Sequence, residues 1–305
     1  MPGPTPPWRG GWRLVARQGP PGTLVASSLD PRGARLACLT QPTAAAVVLG
    51  SAQPLVDFDA ERCARQRLDL VRRRSGGGAV VVSPGAQIWL DLFVPAADPL
   101  FESDVVRASS WVGSLWREAL GGASGAGGRL AVHEGGLAAT PWSRRVCFSG
   151  VGPGEVTRDG RKVTGVAQRR DRAGAWFFTM ALVRPEQQRL ASLLALGRDE
   201  RAAIRVALGA ETSVVGCPAQ DLERQLGSEL GGVWSAGEDV PPEPHPPERG
   251  HETAGGSGEK SVERASHPRE AMTGRHRHDL EAGEHRREGD PGRDRDETVV
   301  HRRTR

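Results

Sequence analysis

The 305-residue chain contains no tyrosine, and among its 41 Lys and Arg residues only Lys162 and Lys260 are lysines. Residues 1–235 hold a single histidine, His133, so neither a multi-histidine metal site nor a Ser-His-Asp arrangement is expected there. The four cysteines (Cys38, Cys63, Cys147, Cys217) are widely spaced and form no CxxC, which points to neither a disulfide framework nor a zinc site. No apolar stretch reaches the roughly 18 residues of a membrane span, and the opening MPGPTPPWRGGWRLVARQGPPG lacks the apolar run of a signal peptide. The expected location is cytoplasmic, with no membrane partner. A net charge of +4 is no nucleic-acid signature, so no nucleic-acid partner is expected either.

What is present is unevenly spread. Residues 236–305 carry 13 Lys+Arg, 16 Asp+Glu and seven histidines, including His276 and His278, but no Trp or Phe. Such a stretch cannot bury enough apolar surface to offset its chain entropy, and it reads as a disordered, solvated tail. All eight Trp and six Phe fall within residues 1–235, enough for one sizeable core. Within that part, residues 1–33 are rich in Pro and Gly and read as an irregular arm, leaving 34–235 as one folded domain. Residues 1–235 hold 28 basic and 21 acidic residues, a balance that suits an acidic or phosphorylated ligand.

Short apolar runs alternate with helical spacing. Strands are expected at 35–39, 45–49, 68–74, 79–82, 88–94, 129–133, 145–148, 155–158, 162–169 and 175–183. Helices are expected at 57–67, 103–120, 185–196, 199–208 and 218–230. Asp159-Gly160 between two strand runs signals a tight hairpin, because a type I′ turn needs positive φ at both central residues. The sum is an α+β domain, a mixed β-sheet with flanking helices, rather than a regular βαβ array.

Two segments carry the chemistry. In Arg72-Arg73-Arg74-Ser75-Gly76-Gly77-Gly78-Ala79-Val80-Val81, three cations precede three glycines between strands. Glycines let backbone N–H groups approach a ligand and arginines neutralise anions, although a flexible loop with a solvated basic face has the same composition. It is neither a Walker loop nor a dinucleotide fingerprint. In Asp159-Gly160-Arg161-Lys162-Val163-Thr164-Gly165-Val166-Ala167-Gln168-Arg169, the sole lysine of residues 1–235 follows the turn and Gly165 opens space beside it. In a chain that otherwise uses arginine, a lysine marks a place where a compact point charge is wanted instead of a planar fork. The plainer alternative is a hairpin lysine pointing to solvent.

Taken together, RRRSGGGAV and DGRKVTGVAQR resemble the two core motifs of the lipoate-protein ligase family, which shares its fold with biotin-protein ligases and octanoyltransferases. Ala46-Val47-Val48-Leu49-Gly50-Ser51-Ala52-Gln53 looks like that family's early strand and loop, so the likeness spans roughly residues 45–216. It implies a biotin/lipoate protein ligase catalytic-domain fold. It also implies a lipoate-protein ligase-like activity: activation of lipoate or octanoate with ATP and Mg²⁺, then transfer to a lysine of a lipoyl-domain acceptor protein. The resemblance further implies that Arg73, Ser75, Gly76, Gly77, Gly78, Ala79, Val80 and Val81 lie at substrate and nucleotide. Lys162 would sit between acyl carbonyl and phosphate, with Gly165 beside it, and no resident metal ligands are expected. The chain departs from the ligase pattern at Val81-Val82-Ser83-Pro84-Gly85, where the motif usually continues into His-Asp. Residues 236–305 do not resemble the accessory domain of long ligases, so an ATP-dependent reaction could call for a separate accessory chain.

Cys147-Phe148, fifteen residues before Lys162, is similar to the Cys-Phe of the cysteine-dependent octanoyltransferases and amidotransferases of the same superfamily. There Cys147 would take an acyl group from a thioester such as octanoyl-carrier protein, with no cofactor. As a nucleophile it works as the thiolate, which a nearby cation favours. Cys147 could equally be core packing. Cys38, Cys63 and Cys217 are read as packing, and Trp89, Trp142 and Trp176 as candidates for lining an acyl pocket. A non-catalytic acyl-binding module is the reading from a different class.

Overall fold

The central strands of the molecule's main sheet, at 87–95 and 174–182, alternate their side chains between two different interiors, and this places the site. The computed structural model describes residues 5–125 and 127–236. In chain order the elements are β1 (Trp12–Gly19), α1 (Pro21–Ala26), β2 (Arg35–Pro42), β3 (Ala46–Leu49), α2 (Ala60–Arg65), β4 (Asp69–Arg72), β5 (Val80–Val82), β6 (Gln87–Pro95) and α3 (Val105–Gly122). They continue with β7 (Leu130–Val132), β8 (Val156–Arg158), β9 (Arg161–Lys162), β10 (Thr164–Arg170), β11 (Gly174–Leu182), α4 (Gln188–Leu193), α5 (Arg198–Glu211), α6 (Ala219–Leu230) and β12 (Ser235–Ala236). The large sheet runs β10-β11-β6-β2-β1-β12, and two smaller ones run β4-β3-β5 and β7-β8-β9. The large sheet is mixed: β6 is antiparallel to both β11 and β2, whereas β1 is parallel to β2 and β12.

On one face of the large sheet, Ile88, Leu90, Leu92 and Val94 of β6 join Val112, Leu115, Trp116 and Ala119 of α3 in the main core. Asp104 caps α3 by accepting from the N–H groups of Val106 (2.9 Å) and Arg107 (2.8 Å), so the helix starts where Asp at N-cap supplies the missing acceptors. The indole of Trp116 donates to Thr179 Oγ1 at 3.0 Å, and that hydroxyl donates on to Leu90 O, leaving the buried polar groups satisfied. Alternation in the small sheet is just as regular. Val47, Leu49 and Val81 point to a second core against α2, α4 and α5, while Ala46, Val48, Val80 and Val82 face Trp89 and Met180 of the large sheet. The site lies between those two sheets.

The expected hairpin is present: Arg158 pairs with Arg161 across Asp159 (φ 50°) and Gly160 (φ 78°), a two-residue loop with both φ positive. Four expectations change. Residues 12–26, read as part of an irregular arm, form β1 and α1; the Pro and Gly of the flanks hide an alternating WRLVARQ strand that pairs with β2 over eight residues. Residues 145–148 form no strand, only the single bridge Val146 to Ala79, because this stretch is pressed against the glycine loop. The expected strand 162–169 divides at Val163, where the chain leaves the sheet of β8 for the sheet of β11. Ser235–Ala236 pairs with Val15 and Ala16, so the fold reaches the first residue of the expected tail; 237–305 lie outside the described residues.

Candidate active site

A cavity of about 390 Å³ separates the large sheet from the β4-β3-β5 sheet. Trp89 and Phe93 of β6 and Trp176, Phe178 and Met180 of β11 form its floor, with Leu24 of α1 and Val48, Val80 and Val82 opposite. It falls in the size range of small-molecule sites and is mostly apolar, as an acyl chain requires. Cys147, Phe148 and Gly165 close one end. A Cβ placed on Gly165 would stand 3.8 Å from Cys147 Sγ and 3.6 Å from the Phe148 ring, so glycine keeps the space in front of the thiol clear.

Lys162 is 3% exposed and does not line this cavity. Its Nζ donates to Cys147 O (2.8 Å) and Gly150 O (3.2 Å), meets Glu155 Oε2 at 2.6 Å and sits 5.2 Å from the Phe148 ring centroid. An ammonium has three N–H groups, and these three acceptors use them all. Glu155 is itself 5% exposed and accepts from the N–H groups of Gly152 (2.7 Å) and Val166 (3.1 Å). Lys162 therefore fastens the 147–150 loop from behind, bonded to the carbonyl of Cys147 and not to its sulfur. The loop is held from other sides as well. Ser149 Oγ donates to Glu211 Oε2 at 2.7 Å, and the N–H of Cys147 donates to Ala79 O at 2.9 Å.

The three arginines serve backbone carbonyls. Arg72 donates to the carbonyls of Gly50, Ser51 and Gln53; Arg73 to those of Val48, Gly76 and Gly78 and to Ser75 Oγ; Arg74 to Ala26 O and Ser28 Oγ. Burial pushes the Arg73 guanidinium down from its usual range, and the neighbouring Cys147 sulfur acts in the opposite direction. The glycines are there for close packing as much as for a ligand. A Cβ on Gly50 would fall 1.9 Å from Gly77 O, one on Gly78 would fall 2.5 Å from Val146 N, and Gly77 has φ +94°. Only Gly76 has open space around it.

Of the residues expected at the site, Cys147, Gly165, Arg73, Ser75 and Val80 line the cavity. Ala79 is fully buried beside Arg145, and Val81 turns into the second core, where Gln187 bonds both its N–H and its carbonyl. Trp89 and Trp176 line the cavity, whereas Trp142 packs on the second core. Cys38 and Cys63 are buried and Cys217 packs on the main core; burial pushes the Cys38 thiol up to about 11 and raises the other two. Such thiols are poor nucleophiles. Glu155, Arg17 and Asp91 were not anticipated. Asp91 had a signal, a carboxylate in the middle of the apolar run Ile88-Trp89-Leu90-Asp91-Leu92-Phe93.

A triphosphate needs uncommitted cations or N–H groups. Arg72, Arg73 and Arg74 are engaged with carbonyls, Val81 and Val82 stand where the ligase pattern continues into His-Asp, and Lys162 is saturated. As arranged, the arginine-glycine segment and Lys162 do not fit a nucleotide. Among the described residues no group of three His, Cys, Asp or Glu side chains could hold a metal ion, and no helix is long and apolar enough to cross a membrane.

The site thus combines an α+β domain, a mostly apolar cavity between two sheets, a thiol on that cavity and a lysine braced behind the thiol's loop. Residues 24–215 match the family model of the lipoyl protein ligase A/B catalytic domain, and the chain belongs to that family. The match begins at Leu24, earlier than the motifs alone indicate, and so takes in the last three residues of α1. The fold is similar to that of a lipoate-protein ligase A bound with ATP, at 13% identity over 75% of this chain and 89% of that one, with a TM-score of 0.51. It is also similar to the bipartite lipoate protein ligase of Thermoplasma acidophilum, solved with its E2 lipoyl domain, at 14% identity over 73% and 88% of the two chains and a TM-score of 0.52. No match was found among curated protein sequences.

Proposed function

We propose that this protein transfers a medium-chain acyl group, octanoyl or lipoyl, to a lysine of a lipoyl-domain protein through a thioester on Cys147. The observation that carries this reading is the position of Cys147, the one cysteine of the four that opens on the apolar cavity. In the first step Cys147 gives up its proton and the thiolate attacks the carbonyl of an acyl thioester; a new C–S bond forms, the donor's acyl–sulfur bond breaks, and the donor leaves as a thiolate that takes up that proton. In the second step the neutral amine of the acceptor lysine attacks that carbonyl, an amide forms, and Cys147 departs and regains its proton from the amine. Lys162, Glu155 and Glu211 hold the 147–150 loop still through both steps, which keeps the carbonyl and thiol in register.

An ATP-dependent ligase is the second reading, favoured by the family and by the ATP-bound relative. It requires the arginine and glycine segment to rearrange around a nucleotide. Intact-mass analysis of a lipoyl domain separates the two. One mixture holds octanoyl-carrier protein without nucleotide, the other octanoate with ATP and Mg²⁺. Modification in the first alone, with an acyl adduct on Cys147, is expected. Modification in the second alone establishes the ligase and makes Cys147 structural.

A further inference from the structure

The end of the cavity remote from Cys147 is polar. Strand register draws a straight row across five strands: Gly165 opposite Met180, Met180 opposite Trp89, Trp89 opposite Thr40 and Thr40 opposite Arg17. Adjacent strands lie about 4.8 Å apart, so Trp89 stands about 10 Å from Gly165, within reach of a medium-length acyl chain carried on Cys147. Arg17 lies two strands beyond Trp89, and its side chain reaches back to the carboxylate of Asp91, two residues along β6 from Trp89; Arg17 (7% exposed) and Asp91 (2%) form an ion pair, Nη2 to Oδ2 at 3.2 Å. Arg17 Nε also donates to Thr40 Oγ1 (3.1 Å) and Nη1 to Ser27 Oγ (3.0 Å), while the Trp89 indole donates to Asp91 Oδ1 (2.8 Å). These bonds use three of the five guanidinium N–H groups and one acceptor position on each carboxylate oxygen. Arg17, Asp91 and Trp89 all line the cavity; the indole N–H is spent on Asp91, while Arg17 keeps donors and Asp91 acceptors to spare.

A methyl-ended chain would cover those spare groups and leave them unsatisfied, a cost an all-apolar wall would avoid. A distal cation would meet Arg17 and a distal anion would meet Asp91, so a neutral group that both donates and accepts matches the pair best. We propose that the Arg17–Asp91 pair recognises the distal end of the acyl group, and that the preferred substrate carries a neutral hydrogen-bonding group there, a hydroxyl or primary amide, instead of a plain methyl. This rests on the cavity being the acyl site.

The test is calorimetric titration of the full chain with four free acids: octanoic acid, ω-hydroxyoctanoic acid, suberic acid monoamide and suberic acid. The hydroxy acid and the monoamide are expected to bind about tenfold more tightly than octanoic acid, the return from one well-made hydrogen bond at a desolvated site. The paired replacement Arg17→Met with Asp91→Leu is expected to reverse that order. Octanoic acid binding as tightly as the hydroxy acid to the unmodified protein overturns this proposal and leaves the acyl-site reading standing. Tightest binding by suberic acid overturns it too, since the site would then prefer an anion. Binding of none of the four overturns the acyl-site reading and this proposal together.

Discussion

Two buried ion pairs flank the cavity, and they differ in what remains unspent. Lys162–Glu155, behind the thiol, uses every ammonium N–H and contributes nothing to the cavity lining. Arg17–Asp91, at the far end, is equally buried but lines the cavity and keeps spare donors and acceptors. The first pair is a brace, the second a surface that a ligand can meet. Burial alone does not distinguish them; a count of satisfied hydrogen-bond positions does.

The sharpest way to separate chemistry from bracing is Cys147→Ser. Transfer from an acyl thioester should fall below detection while the melting temperature stays within a few degrees, because the thiol is only half-buried. Retained transfer in the mass assay would remove Cys147 from the mechanism. Next in size is Lys162→Met, which strands the Glu155 carboxylate in the interior and should cost about 3–5 kcal/mol in urea unfolding. Adding Glu155→Leu should recover part of that stability without restoring transfer, since the 147–150 loop has still lost its fastening.

The far pair should respond differently, because burial pushes Asp91 up to about 6, with Arg17 pulling it back down. A carboxyl whose folded pKa exceeds its unfolded value adds stability below the unfolded value and loses it as pH rises through the folded one. Here that loss falls between 3.8 and about 6. Arg17→Met removes the group that favours the ionised form. It should therefore destabilise the protein more in unfolding measured well above pH 6 than in unfolding measured below it. Equal loss at both would show that Asp91 stays charged throughout. The smallest contrast lies in the glycine loop. Gly78→Ala forces a Cβ against Val146 N and should cost about 1–3 kcal/mol, whereas Gly76→Ala, in open space, should stay within about 0.5 kcal/mol by the same unfolding assay.

Local features of the fold were legible in the sequence. The apolar strand 88–94, the Asp159-Gly160 turn and the helical spacing from 103 each depend on a few neighbouring residues and appear close to where expected. Features set by tertiary approach were not. Residues 145–148 have strand composition, yet Gly78 packs on their backbone and permits only one bridge. The scarcity of lysine singled out Lys162; Glu155, seven residues earlier on the facing arm of the Asp159-Gly160 hairpin, was not picked out, because composition does not tell which side chains of a hairpin turn into the interior. Likewise, nothing in three consecutive arginines tells whether they face solvent, an anion or, as here, carbonyls of Gly50, Gly78 and Ala26. The Pro and Gly on either side of β1 outweighed its own pattern.

The order of the large sheet carries a further consequence for the growing chain. β1, β2 and β6 are made within the first third of the sequence and supply Arg17, Trp89 and Asp91; β10, β11 and the 147–150 loop come later and supply Gly165, Phe178 and Cys147. The cavity is thus the seam along which an early and a late part of the polypeptide join at the β6–β11 pairing. A product truncated before residue 174 lacks Trp176, Phe178, Thr179 and Met180 of the cavity and has no partner for the open edge of β6. The cavity is therefore complete only once β11 has paired with β6 and placed Trp176, Phe178 and Met180 along it.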